Sequence, residues 1–110
     1  KIQSIKKKKY PFHPIFLPPL KDNEIDRYYR EPSFMFDYKR CTSPWFETDI
    51  MPNGDVVTCR DYADVVAGNI QNDKLSNIWN NETYRKFRTT LKKHDGLFPV
   101  CARCCGLMGV

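Results

Sequence analysis

The sequence predicts a small α+β protein: a β-hairpin followed by a helix, behind an N-terminal helix–strand–linker segment. Three observations lead there. Asn53-Gly54 is flanked by Ile50 on one side and Val56-Val57 on the other, which is the strongest short-range hairpin signal in the chain. Residues 82–93 carry Tyr84, Phe87 and Leu91 on one face and Arg85, Lys86, Lys92 and Lys93 on the other, behind a capping Asn81. The cysteines stand at the edges of these elements, where a hairpin end and a tight turn can bring thiols together.

The elements follow in order. Ile2 and Ile5 lie three apart and Lys6 to Lys9 follow, which reads as the tail of a helix with cations at its C-terminal end. No cap precedes this helix, so it is expected to begin upstream of Lys1. Residues 10–20 hold four prolines around the apolar run Ile15-Phe16-Leu17, which fits an edge strand or an extended connector. Asp22 or Asn23 would cap a short helix with Ile25, Tyr28 and Tyr29 on one face. Residues 31–40 read as a loop anchored by Phe34, Phe36 and Tyr38.

Trp45 to Ile50 and Val56 to Cys59 are the expected hairpin strands. A short strand at Val65-Val66 and a turn at Gly68-Asn69 come next. Asp73 would cap a helical turn bearing Leu75, Ile78 and Trp79. Asp95-Gly96 ends the long helix, and Pro99 stiffens the approach to Cys101. The expected core is Trp45, Val57, Trp79, Phe87 and Leu91.

At 110 residues the chain has room for one small core, and its mean hydropathy is low. Such a chain calls for a staple beyond hydrophobic burial. It has five cysteines, an odd number that leaves one over in any disulfide framework. No apolar run has the length of a signal segment or a membrane span. These features predict a cytoplasmic protein with reduced thiols, where clustered cysteines point to metal. The formal charge is +5, but no aromatic-interleaved basic face accompanies the lysine run, so no nucleic-acid partner and no membrane partner are expected.

Seventeen residues separate Cys41 from Cys59, forty-one separate Cys59 from Cys101, and two separate Cys101 from Cys104. Four thiolates, two in C-x-x-C spacing, suit a tetrahedral sulfur site. Zinc and a [4Fe–4S] cluster both satisfy that pattern. Cys105 is the spare, because neighbouring side chains in extended backbone point to opposite sides. His13 and His94 read as structural. Asp49, Asp55, Asp61 and Asp64 form no pair suited to acid–base work, and no catalytic residue is assigned.

The residues that carry a resemblance are Cys41-Thr42-Ser43-Pro44-Trp45, Ile50 through Cys59, Gly68-Asn69-Ile70, Leu75 to Asn80, Tyr84 to Arg88 and Cys101-x-x-Cys104. Together they resemble the SPASM/twitch domain, the C-terminal extension of many radical S-adenosylmethionine enzymes. The C-x(9–15)-G-x(4)-C element of that family matches Cys41, Gly54 and Cys59. The resemblance covers about residues 41–105.

The resemblance implies one auxiliary [4Fe–4S] cluster on Cys41, Cys59, Cys101 and Cys104. A structural zinc module for protein contacts, using the same cysteines, is the alternative. The C-x(2)-C-x(5)-C-x(3)-C run of a second cluster is missing, so the shortened single-cluster form is the closer likeness. Residues 1–40 look like the end of a preceding partial barrel and its linker, and residues 41–110 like the auxiliary-cluster domain. No C-x-x-x-C-x-x-C motif occurs, so the oxidoreductase or maturase chemistry and the S-adenosylmethionine would belong to a barrel outside these residues. The implied partners are that barrel, on the same polypeptide, and a peptide, protein or small-molecule substrate.

Overall fold

A computed structural model describes residues 2–37, 40–104 and 106–107. The chain forms two compact units, a central one from Asp37–Phe98 and a terminal one from Lys1–Phe36 with Pro99–Val110. The terminal unit contains α1 (Ile2–Lys6) and α2 (Ile25–Arg30). The central unit contains β1 (Asp49–Ile50), β2 (Asp55–Val57), β3 (Val66–Asn69), α3 (Leu75–Ile78) and α4 (Glu82–Lys93). The architecture is α+β, with a three-stranded antiparallel sheet in the order β1-β2-β3 ahead of the long helix.

The hairpin forms where the sequence places it. Its loop is Pro52-Asn53-Gly54: Met51 N–H donates to Asp55 O at 2.7 Å, and Gly54 N–H donates to Met51 O at 2.8 Å. Pro52 presets the first loop position, and only Gly54 in the loop has positive φ, at +88°. A Cβ on Gly54 would also stand 2.8 Å from Asn69 Oδ1. That amide holds the loop from β3, since Asn69 Nδ2 donates to Asn53 O at 3.0 Å and to Asp55 Oδ1 at 2.9 Å.

Three local expectations change. The first strand does not begin at Trp45, because Pro44 opens a 3₁₀ turn over Ser43–Trp45 and pairing starts only at Asp49. Gly68-Asn69 is not a turn but part of β3, where Gly68 pairs with Val56. A side chain at Gly68 would meet Ile78 at 3.1 Å, so the missing Cβ lets α3 close on the sheet. Asp73 flanks α3 without capping it in the usual way. Its Oδ1 accepts from the Lys74 N–H at 2.7 Å and from Asn77 Nδ2 at 2.8 Å.

The central core is Val56, Ala67, Ile78 and Tyr84, with Trp79 packed against it, and Val57 and Leu91 are buried too. The core thus keeps Val57 and Leu91 from the expected set, while Trp45, Trp79 and Phe87 are only half-buried. Phe87 stacks edge-on against Phe98, with centroids 5.7 Å apart. The helix boundaries follow local rules. Asn81 Oδ1 accepts from Tyr84 N–H at 3.0 Å, and Asn81 Nδ2 donates to Ala67 O at 2.6 Å, tying the start of α4 to β3. Asp95 and Gly96 turn to positive φ, and Gly96 N–H returns to Leu91 O at 2.9 Å.

In the terminal unit, Ile15-Phe16-Leu17 belongs to no strand: the run is irregular and bends at Leu17, and Ile15 and Leu17 are exposed. Neither Asp22 nor Asn23 caps α2. Glu24 flanks the helix, and its carboxylate accepts from Lys21 N–H at 2.8 Å. Tyr28 is half-buried but Tyr29 is exposed, so the expected three-residue face reduces to Ile25 and Tyr28. Among the described residues, no helix is long and apolar enough to cross a membrane.

Candidate metal centre

Each of the four candidate ligands is half-buried and present as a thiol. Cys41 and Cys59 belong to the central unit; Cys101 and Cys104 belong to the terminal unit. Cys105 lies outside the described residues.

Cys41 opens the 41–45 segment. Its N–H donates to Gly96 O at 3.0 Å, which ties it to the loop after α4 rather than to a strand. The adjoining 3₁₀ turn is held by Arg88 of α4. Arg88 Nε donates to Pro44 O at 2.7 Å, and Nη1 donates to Trp79 O at 3.0 Å and to Asn80 Oδ1 at 3.2 Å. Its guanidinium carbon lies 4.5 Å from the ring centroids of both Trp79 and Tyr84. A half-buried cation lying over two aromatic rings that pack on each other, with three oxygen acceptors, is a fixed strut.

Cys59 follows β2 in extended backbone, with φ −156° and ψ 130°. The strand continues toward it through buried Thr58, whose N–H donates to Val65 O at 3.2 Å. After Cys59 the chain coils at once, as Tyr62 N–H donates to Cys59 O at 3.2 Å. Cys59 therefore sits where the sheet gives way to a turn.

Cys101 lies in the 3₁₀ helix Pro99–Arg103, and Cys104 follows it directly. Cys104 N–H donates to Cys101 O at 3.1 Å, so the C-x-x-C segment is a closed turn. Between the two cysteines, Ala102 is buried. Arg103 points its guanidinium at four backbone carbonyls and two aromatic rings.

Among the described residues, no group of three or more Cys, His, Asp and Glu side chains is gathered so as to hold a metal ion. His13 and His94 are exposed, and His94 lies against Phe98 with ring centroids 5.5 Å apart. The chemistry of the donor set is uniform: four soft sulfur ligands, two of them on one closed turn. This set fits an iron–sulfur cluster and, by chemistry alone, zinc. No sequence expectation assigns a role to Arg88 or Arg103. An arginine between two cysteines is the available sign for Arg103, and an arginine four residues after Tyr84 and next to Phe87 is the sign for Arg88.

Among protein-family models, the SPASM model, described as an iron-sulfur cluster-binding domain, matches residues 41–105. No curated protein and no solved structure matches. The matched region contains every cysteine of the chain and includes β1, β2, β3, α3 and α4. The chain belongs to the SPASM family of iron-sulfur cluster-binding domains.

Proposed function

We propose that this SPASM chain binds one [4Fe–4S] cluster through Cys41, Cys59, Cys101 and Cys104. We further propose that it serves as the auxiliary-cluster end of a radical S-adenosylmethionine enzyme in a reducing compartment such as the cytoplasm. The observation that carries the reading is that the family match spans four half-buried thiols, two of them on a closed C-x-x-C turn.

A cluster with four protein thiolates has no open coordination site, and its chemistry is single-electron transfer. The role proposed for this chain is therefore to relay an electron or to help position a substrate, not to bind substrate at iron. The barrel expected on the same polypeptide would hold S-adenosylmethionine and carry out the modification of a peptide, protein or small molecule. The protein's own residues would do three things. Half-burial of the thiols would limit their contact with water. Arg88 would fix the turn after Cys41. The Tyr62-to-Cys59 bond would fix the backbone at Cys59.

The test is anaerobic purification of the full chain and of four single Cys→Ala variants. Brown, sulfide-containing protein is expected for the wild type, and loss of the cluster for each variant. Zinc in place of iron, without acid-labile sulfide, would favour the structural zinc reading instead.

A further inference from the structure

We propose that Arg103 is a positioning residue for the Cys101–Cys104 ligand pair. It acts by clamping the turn that carries them onto residues 28–36, a segment outside the region matched to the family. The inference rests on reading these cysteines as ligands.

The clamp meets α2 at its C-terminal end. This helix has six residues, so most of its carbonyls have no partner within the helix. Arg103 supplies donors to that end. Nη2 donates to Tyr28 O at 2.7 Å and to Glu31 O at 2.9 Å, and Nη1 donates to Phe34 O at 3.3 Å. Nη1 also donates back to Ala102 O at 2.8 Å, within the cysteine turn itself. A cation at a helix C-terminus also suits the helix dipole.

The same guanidinium lies 4.5 Å from the Tyr28 ring centroid and 5.4 Å from that of Phe36. Tyr28 and Phe36 are packed on each other, with centroids 5.8 Å apart. The flat cation is thus held by an aromatic pair and by four carbonyls arranged around its edge. Only a planar fork with several N–H donors meets all of these at once, and a lysine ammonium does not.

Arg103 is the residue before Cys104, inside the turn closed by the Cys104-to-Cys101 bond. Fixing its side chain fixes the peptide from which it springs, and with it the direction of the following cysteine. Three hydrogen bonds cross from the turn to residues 28–34 through this one side chain. Loss of the clamp leaves a C-x-x-C turn whose sulfurs must be ordered at the moment of metal binding, which weakens binding.

The test is anaerobic titration of the full chain with Co²⁺, read by thiolate-to-cobalt charge transfer and by the visible d–d bands. The proteins are wild type, R103A, R103K and R30A. Arg30 is exposed on the same helix and pairs with Asp26, so R30A removes an equal charge without touching the clamp. R103A and R103K should both lose at least about tenfold in Co²⁺ affinity, with less charge-transfer intensity per cobalt, while R30A stays within about twofold. Wild-type affinity in R103K, or a loss in R103A no larger than in R30A, would overturn the proposal. So would the absence of any thiolate–cobalt band in the wild type.

If circular dichroism shows that R103A does not fold, Y28L/F36L carries the same test. Weakened affinity in that variant supports the clamp, and unchanged affinity overturns it. Iron and sulfide analysis of the wild type tests the cluster reading separately. Cobalt bound without uptake of iron and sulfide would overturn the [4Fe–4S] assignment while leaving the Arg103 comparison readable.

Discussion

The Tyr84 hydroxyl donates to Thr48 Oγ1 at 2.6 Å, and Thr48 Oγ1 donates onward to Val57 O at 3.0 Å. Tyr84 O–H also lies 3.3 Å from that carbonyl. A fully buried phenol on α4 is thereby tied to the last residue of β2, two residues before Cys59. Y84F keeps the ring and the Thr48-to-Val57 bond but removes the hydroxyl's own bonds, and should cost about 1–2 kcal/mol. Y84A also opens a cavity and should cost about 3–5 kcal/mol. Urea unfolding of the two variants measures both.

The same phenol predicts a pH effect. Burial pushes the Tyr84 pKa above its ordinary value of 10.0, against smaller lowering effects of the Thr48 bond and the Arg88 charge. The folded state therefore favours the neutral phenol. Its contribution is complete below pH 10.0 and is lost as pH rises through the elevated pKa. Unfolding followed from pH 9 upward should show an alkaline loss of stability in wild type that is reduced in Y84F.

At the hairpin tip, G54A should destabilise the sheet by about 1–3 kcal/mol, because it meets both a left-handed backbone and the Asn69 amide. Thermal unfolding gives the cost. N69A removes the clash but also the amide's bonds to Asn53 O and Asp55 Oδ1, so the double variant should lose less than the sum of the two single losses without returning to wild-type stability.

Asn81 makes two separable bonds. N81A loses both the cap on Tyr84 N–H and the donation to Ala67 O, with an expected cost of about 1–2 kcal/mol. N81D keeps the cap acceptor but cannot donate to Ala67 O. Its stability should fall between wild type and N81A in a denaturant titration.

Glu31 offers a contrast to Arg103. Its carboxylate pairs with Arg27 on the surface at 2.9 Å, while Arg103 uses its backbone carbonyl. The Arg27 bond lowers the Glu31 pKa below 4.5, so any contribution is present above that pH and disappears as pH falls through the lowered value. Both partners are exposed, which keeps the effect small and salt-sensitive. E31Q should bind Co²⁺ with wild-type affinity, since the carbonyl that Arg103 needs remains.

The local parts of this fold could be read directly from the sequence. The Asn81 cap, the face bearing Tyr84 and Leu91 and the Asp95-Gly96 stop all act within a turn or two of helix. The hairpin was visible because Asn53-Gly54 sits between apolar residues. Gly68-Asn69 has the composition of a turn, but what makes it a strand is pairing with Val56 and the approach of Ile78, neither of which is local. The family's cysteine spacing is plain in the sequence, but the role of Arg103 is not. Its acceptors are backbone carbonyls at Tyr28, Glu31 and Phe34, which leave no residue-type signal, and they stand 69 to 75 positions away in the chain.

The central claim is that Cys41, Cys59, Cys101 and Cys104 hold one [4Fe–4S] cluster. The most direct measurement is the iron and acid-labile sulfide content of the full chain after anaerobic reconstitution. About four irons and about four sulfides per chain are expected. One zinc per chain with no sulfide would contradict the claim.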